Sequence, residues 1–264
     1  MLLSQVGLCA AKAPEWSAGG RKPDPATVLP LEQIAEQHRG NVADVIRNHT
    51  LHRRGAPDTF PANPRIYLAL LEQPVLTLSL WKDVGESPAR LQQTGPGRFV
   101  GSDGSGTSAS WEYLIKSPRL HVMLCELDYV SPRGAARLTG RIVLILRTGY
   151  FKETGGESWI RHEVEAFVKV DSTAWKALAV TLRPIVESVL EDQVQEAGLF
   201  ISLMARLVET YPDWATGVAQ QAYLPADAKK SFGEIVKQTR RPGAFTTRPM
   251  MADGRSSDSP ARRR

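Results

Sequence analysis

Apolar residues between Ala174 and Tyr211 recur in steps of three and four: Trp175, Leu178, Leu182, Ile185, Val186, Val189, Leu190, Val194, Ile201, Met204, Leu207 and Val208. A turn of 3.6 residues gathers them on one face and leaves Lys176, Arg183, Glu187, Glu191, Gln195 and Arg206 on the other, so the pattern predicts a long amphipathic helix. Asp171, Ser172 and Thr173 offer side-chain oxygens to its first turn, and Pro184 predicts a kink within it. Ahead of this stretch the period changes to two. Ile160, His162, Val164, Ala166, Val168 and Val170 alternate with Arg161, Glu163, Glu165, Phe167 and Lys169, which predicts a strand with one apolar and one charged face. Residues 138–151 alternate in the same way, Ile142, Leu144, Leu146 and Tyr150 against Arg141, Val143, Ile145 and Arg147. By this parity Glu163 and Glu165 are expected to look outward, away from the apolar face.

Two more strands are expected over 108–116 and 119–130, with a turn at Ser117-Pro118. The stretch 91–100 adds one or two others, broken at Gly95-Pro96-Gly97. Before the sheet, Asn63 can cap a helix with Pro64 at its first position, and Pro74 splits the apolar run up to Val84 into two short helices. Leu31, Ile34, Val42, Val45 and Ile46 form weak helical patterns on either side of Gly40, followed by the polar run Asn48–Arg54. Residues 57–64, with three prolines, read as a connection. After Tyr211-Pro212 the pattern weakens, and only a short helix over Asp227–Gln238 is expected. The resulting organisation is a flexible leader (1–28), an N-terminal helical extension (29–56), a main domain (57–211), a short helical appendage (212–238) and a disordered basic tail (239–264).

This order of elements, over roughly residues 57–210, resembles the START-like superfamily, the helix-grip proteins that include lipid-transfer domains, polyketide cyclases and ligand-binding plant proteins. The resemblance rests on the short helices at Asn63–Val84, the strands ending at Val170 and the stripe from Ala174 onward. It implies an α+β fold in which a curved antiparallel sheet wraps a long C-terminal helix, with two short helices before the sheet. It also implies a cavity between sheet and helix, suited to a lipid or another small apolar molecule held by a few polar groups. The implied lining is Ile142, Leu144, Leu146, His162, Val164 and Ala166 from the sheet and Leu182, Val186, Val189 and Leu190 from the helix. The same faces could instead interdigitate as a filled core. Pro184 and the residues before Leu51 depart from a minimal domain of this type, and no catalytic signature of the superfamily is matched.

Composition changes this picture little, but the location of charge does. The chain has 264 residues and a net charge of +5. From Lys237 onward there are eight basic residues against two acidic ones, more than the whole excess, so the preceding chain is close to neutral. A basic end rich in Pro, Ser and Gly is a solvated tail that allows weak contact with an anionic surface, not specific nucleic-acid recognition. Two cysteines, Cys9 and Cys125, make no disulfide framework. No apolar run is long enough for a spanning helix. Met1–Ala13 holds a short apolar run with no basic residue before it, which favours a cytoplasmic chain over the weaker alternative of a cleaved signal peptide.

No cofactor motif, P-loop or nucleophile elbow is present. His49 and His52 with His38 nearby have the spacing of a metal half-site, but Arg47, Arg53 and Arg54 around them disfavour a cation. Gly101–Gly106 is dense in glycine yet runs into the strand residues Trp111-Glu112-Tyr113, so it reads as a hairpin or cavity-mouth loop and not as a phosphate cradle. His162, an imidazole on an apolar face, is the candidate for ligand contact or proton transfer. Three functions therefore stand: a non-enzymatic binding or transfer protein, a START-like cyclase or hydrolase using His162, and an interaction protein with a filled core and a working tail.

Overall fold

A computed structural model describes residues 23–130, 137–170 and 200–240. The chain forms two compact units, one within Met1–Pro61 and Arg90–Phe200, the other within Ala62–Ala89 and Ile201–Arg264. Most of the long helix expected from Ala174, including Pro184, Leu182, Val186, Val189 and Leu190, lies outside the described residues. Residues 200–210 are helical.

The first unit is built on an antiparallel sheet of eight strands: β1 (Leu51–Arg54), β2 (Asp58–Pro61), β3 (Arg90–Gly95), β4 (Arg98–Ser102), β5 (Thr107–Ser117), β6 (Leu120–Val130), β7 (Arg137–Lys152) and β8 (Ser158–Val170). From β3 to β8 each strand pairs with the next in sequence, and β1 and β2 both pair with the far side of β8. This meander follows from long alternating segments separated by turn residues, since sequential strands joined by short turns pair most readily. Residues 91–100 resolve into β3 and β4, parted at the expected Gly-Pro-Gly, where Gly97 takes a φ of 68°. The Gly101–Gly106 loop is the β4–β5 hairpin. Asp103 Oδ1 accepts from the amides of Ser105 and Thr107 at 2.7 and 2.9 Å, and Gly106 sits at φ 115° against the Val130 carbonyl.

Two expectations fail at the edge of β8. The polar run Asn48–Arg54 contains β1, and the supposed connection 57–64 contains β2. Each strand is four residues long and finds its partner about a hundred residues or more away, as in Leu51↔Val168 and Phe60↔Ile160. Pro61 occupies the last position of an edge strand, where its missing N–H costs no ladder bond.

Register sorts the sheet into two faces. Val143↔Phe167 and Ile145↔Glu165 stand on one, Leu144↔Ala166 and Leu146↔Val164 on the other. The Phe167 face is not the wet face that its charges predict. It is covered by α2 (Glu36–Arg47), which runs unbroken through the exposed Gly40 and buries Val42, Val45 and Ile46 against Val122, Val143, Ile145 and Phe167. Each such aliphatic side chain contributes about 1.5–3 kcal/mol. The short α1 (Pro25–Val28), capped by Asp24 with Pro25 in its first turn, precedes α2 and packs against it.

The second unit is helical: α3 (Pro64–Glu72), α4 (Pro74–Val84), α5 (residues 200–210), α6 (Pro212–Gln221) and α7 (Ala226–Thr239). Asn63 caps α3 as expected, its Oδ1 accepting from the Arg65 amide at 2.9 Å, and α4 restarts at Pro74. Glu209 accepts from the Asn63 amide at 2.5 Å, and the Trp214 indole donates to Asp83 at 2.6 Å, tying α5 to α3 and α6 to α4. The α6 helix was not expected from the pattern, although Pro212 at its first position and the buried Trp214, Ala215 and Ala219 mark it. Among the described residues no helix is long and apolar enough to cross a membrane.

Candidate functional site

The six sheet residues expected to line a cavity stand on one face. Cross-strand pairs Ile142↔Val168, Leu144↔Ala166, Leu146↔Val164 and Thr148↔His162 put them in neighbouring rows of β7 and β8. The β6 strand extends the face through His121↔Leu146, Met123↔Leu144 and Cys125↔Ile142, and β1 and β2 extend it on the other side through Arg53↔Ala166 and Asp58↔His162. Leu146, Ala166, Val168 and Met123 are buried, whereas Ile142, Leu144 and Val164 are partly buried. Cys125 belongs to the same face, and desolvation pushes its thiol up to about 12, so it behaves as a small hydrophobe and not as a nucleophile.

Four polar side chains are buried on this face: His121 (0% exposed), His162 (4%), Thr148 (5%) and Arg53 (7%). The His162 ring lies edge-on to Phe60 at 5.2 Å, with Nε2 3.9 Å from a carboxylate oxygen of Asp58. Burial pulls its pKa below the ordinary histidine value and the nearby Asp58 opposes that only in part, so the imidazole is neutral near pH 7. His121 packs edge-on to Tyr113 at 6.0 Å. Of these four, only His162 was singled out as a site residue from the sequence. Arg53 and Thr148 were missed because β1 was read as a polar run and because a threonine within a strand carries no signal of its own.

The opposite face holds its charges in pairs. Glu165 accepts from His52 at 2.9 Å and from Arg147 at 2.7 Å, and Arg147 also donates to the Val28 carbonyl at 3.0 Å. Burial raises the Glu165 pKa, but the His52 and Arg147 hydrogen bonds outweigh it and hold the carboxyl below the usual range. Asp44 of α2 accepts from Lys169 at 2.6 Å, Arg141 at 3.0 Å and Asn48 at 2.9 Å, and the Lys169 and Asn48 bonds depress its pKa. These pairs fasten α2 to the sheet.

The histidines of the disfavoured half-site have other partners: His52 is committed to Glu165 and stacked on Phe167 at 4.2 Å, and His49 donates to the Ile46 carbonyl. Among the described residues no group of three or more His, Cys, Asp or Glu could hold a metal ion.

A cleft of about 390 Å³ opens at one end of the sheet, lined by Arg119, Leu120, Arg147, Thr148, Gly149, Arg161, His162 and Glu163. It includes His162 from the expected lining, together with three arginines and one glutamate.

No family model and no curated protein matches the sequence. Among solved structures, a conserved protein from Geobacillus kaustophilus is similar over 60% of this chain and 97% of its own, at 11% identity and a TM-score of 0.42. A protein from Rhizobium leguminosarum is similar over 59% of this chain and 96% of its own, at 14% identity and a TM-score of 0.34. The di-domain ARO/CYC BexL of the BE-7585A biosynthetic pathway is similar over 64% of this chain and 56% of its own, at 16% identity and a TM-score of 0.35. Similarities of this size carry no statement about chemistry.

Proposed function

We propose that the chain is a START-like binding or transfer protein that holds a lipid or a similarly apolar small molecule against the His162 face of its sheet. The observation that carries this reading is the make-up of that face. An apolar field of Leu144, Leu146, Val164 and Ala166 is bordered by the buried polar side chains Arg53, His121, Thr148 and His162. An amphipathic ligand uses both parts, an apolar wall for its body and a few polar groups for its orientation.

The test is retention of a ligand. Protein purified in full length should release an apolar compound on solvent extraction and mass spectrometry, and should take up the fluorescent fatty acid cis-parinaric acid. Ala166→Phe, which places a ring in the apolar field, should abolish uptake while the circular dichroism spectrum is kept. Absence of both an extracted compound and parinaric acid uptake would contradict the reading.

A second reading is favoured by one specific contact. A neutral imidazole can accept a proton, and the Asp58 carboxylate 3.9 Å away favours the charge it then gains, so the His162–Asp58 pair supports an enzyme on the same scaffold.

A further inference from the structure

We propose, on the basis of the apolar-ligand reading, that the ligand of the His162 face is a monocarboxylic acid, its carboxylate held by Arg53 and its apolar body laid across β8, β7 and β6. The distribution of charge on this face comes first. Arg53 pairs with Ala166 across β1 and β8 and is 7% exposed. Among the described residues the one strand carboxylate that register places on the same face is Asp58, opposite His162. The acidic side chains of the other strands, Glu112, Glu126, Asp128, Glu163 and Glu165, all fall on the α2 side. Arg53 and Asp58 stand opposite positions four residues apart on β8, about 13 Å along the strand, so they mark different places on the face. A guanidinium is a permanent cation, and in the interior its field is screened less than at the surface, so an anion drawn to this face is drawn to Arg53. Its five N–H donors, set in a planar fork, let it hold a carboxylate at two points while keeping another partner.

The apolar body has a matching path. The cross-strand row Arg53↔Ala166, Leu144↔Ala166, Met123↔Leu144 and Tyr113↔Met123 starts at the guanidinium and continues through apolar side chains to an aromatic ring. From Arg53 to Met123 it crosses three strand spacings, about 14 Å, which matches a medium-length acyl chain. Ala166, next to Arg53, carries only a methyl group, so no bulky neighbour on β8 walls the guanidinium off from Leu144 in this row. One guanidinium also matches the single charge of a carboxylate, whereas the double charge of a phosphate monoester would be only half compensated.

Ligands that differ only in the polar end test the assignment. The full-length protein is titrated calorimetrically with dodecanoic acid, 1-dodecanol and dodecylamine at pH 8, where a free carboxylic acid is ionised. Dodecanoic acid should bind about tenfold more tightly than dodecanol, as a hydrogen bond to a charged group implies, and dodecylamine should bind most weakly. Arg53→Gln should bring the acid down to the affinity of the alcohol. Arg53→Lys, which keeps the charge but not the fork, should retain part of the preference. The ranking by the parent protein alone decides the matter where Arg53→Gln fails to fold. Equal binding of acid and alcohol to the parent, or an acid preference unchanged in folded Arg53→Gln, overturns the role of Arg53 and leaves the apolar-ligand reading intact. Failure of all three compounds to bind removes that reading and the carboxylate assignment with it.

Discussion

Glu165 keeps its charge inside the fold because an arginine and a histidine hydrogen-bond it there. It is 6% exposed, on a face that α2 covers, and His52 and Arg147 satisfy its two oxygens. Replacing it by Gln leaves Arg147 and His52 facing a neutral amide, and removing one member of a buried pair costs about 3 kcal/mol. Urea unfolding of Glu165→Gln at pH 7 should show that loss. Since the folded carboxyl titrates below its unfolded value of about 4.3, its contribution is fully present above that value. It is lost as pH falls through the lower folded value. The parent should therefore lose more stability on acidification than Glu165→Gln does, and parallel acid limbs would contradict this assignment. The same residue marks a limit of parity reasoning. Period two correctly separates Glu165 from His162, but it cannot say that His52 and Arg147 will meet the carboxylate, because that depends on which distant strand lies alongside.

At the scale of elements, the long strands were legible and the short ones were not. Residues 138–151 and 160–170 carry enough β-branched alternation to fix their faces, and β7 and β8 pair with the parity read from them. Ser117-Pro118 and Gly95-Pro96-Gly97 likewise mark real turns. In contrast β1 and β2 hold four residues each, with arginines and proline among them, and exist as strands because β8 offers a free edge. The covering of the Phe167 face by α2 was missed for a related reason: the charges that looked like a solvated surface are met by hydrogen bonds from or to Asp44, His52 and Arg54, which come from another part of the chain. The β4–β5 hairpin gives the element-scale prediction. A Cβ at Gly106 would lie 2.2 Å from the Val130 carbonyl oxygen at a φ of 115°. Gly106→Ala should thus lower the unfolding free energy by about 2 kcal/mol, measured as a shift of the urea midpoint, and an unchanged midpoint would show that the hairpin does not pack as described.

Across the whole molecule, two fastening schemes recur with different partners. In the sheet unit, apolar contacts of α2 are supplemented by ion pairs to β7 and β8. In the helical unit, single hydrogen bonds accepted by Glu209 and Asp83 join helices that are far apart in sequence. The two faces of the sheet differ in kind: one is closed by α2 with its charges paired, and the other carries an apolar field with buried polar groups at its border. The account of function depends on that difference. Methyl NMR of the full-length protein, with cis-parinaric acid added, tests it most directly. The resonances of Leu144, Leu146, Val164 and Ala166 should shift together while those of Val143 and Ile145, on the α2 side of the same strands, stay in place. Shifts confined to Val143 and Ile145, or none at either face, would contradict the account.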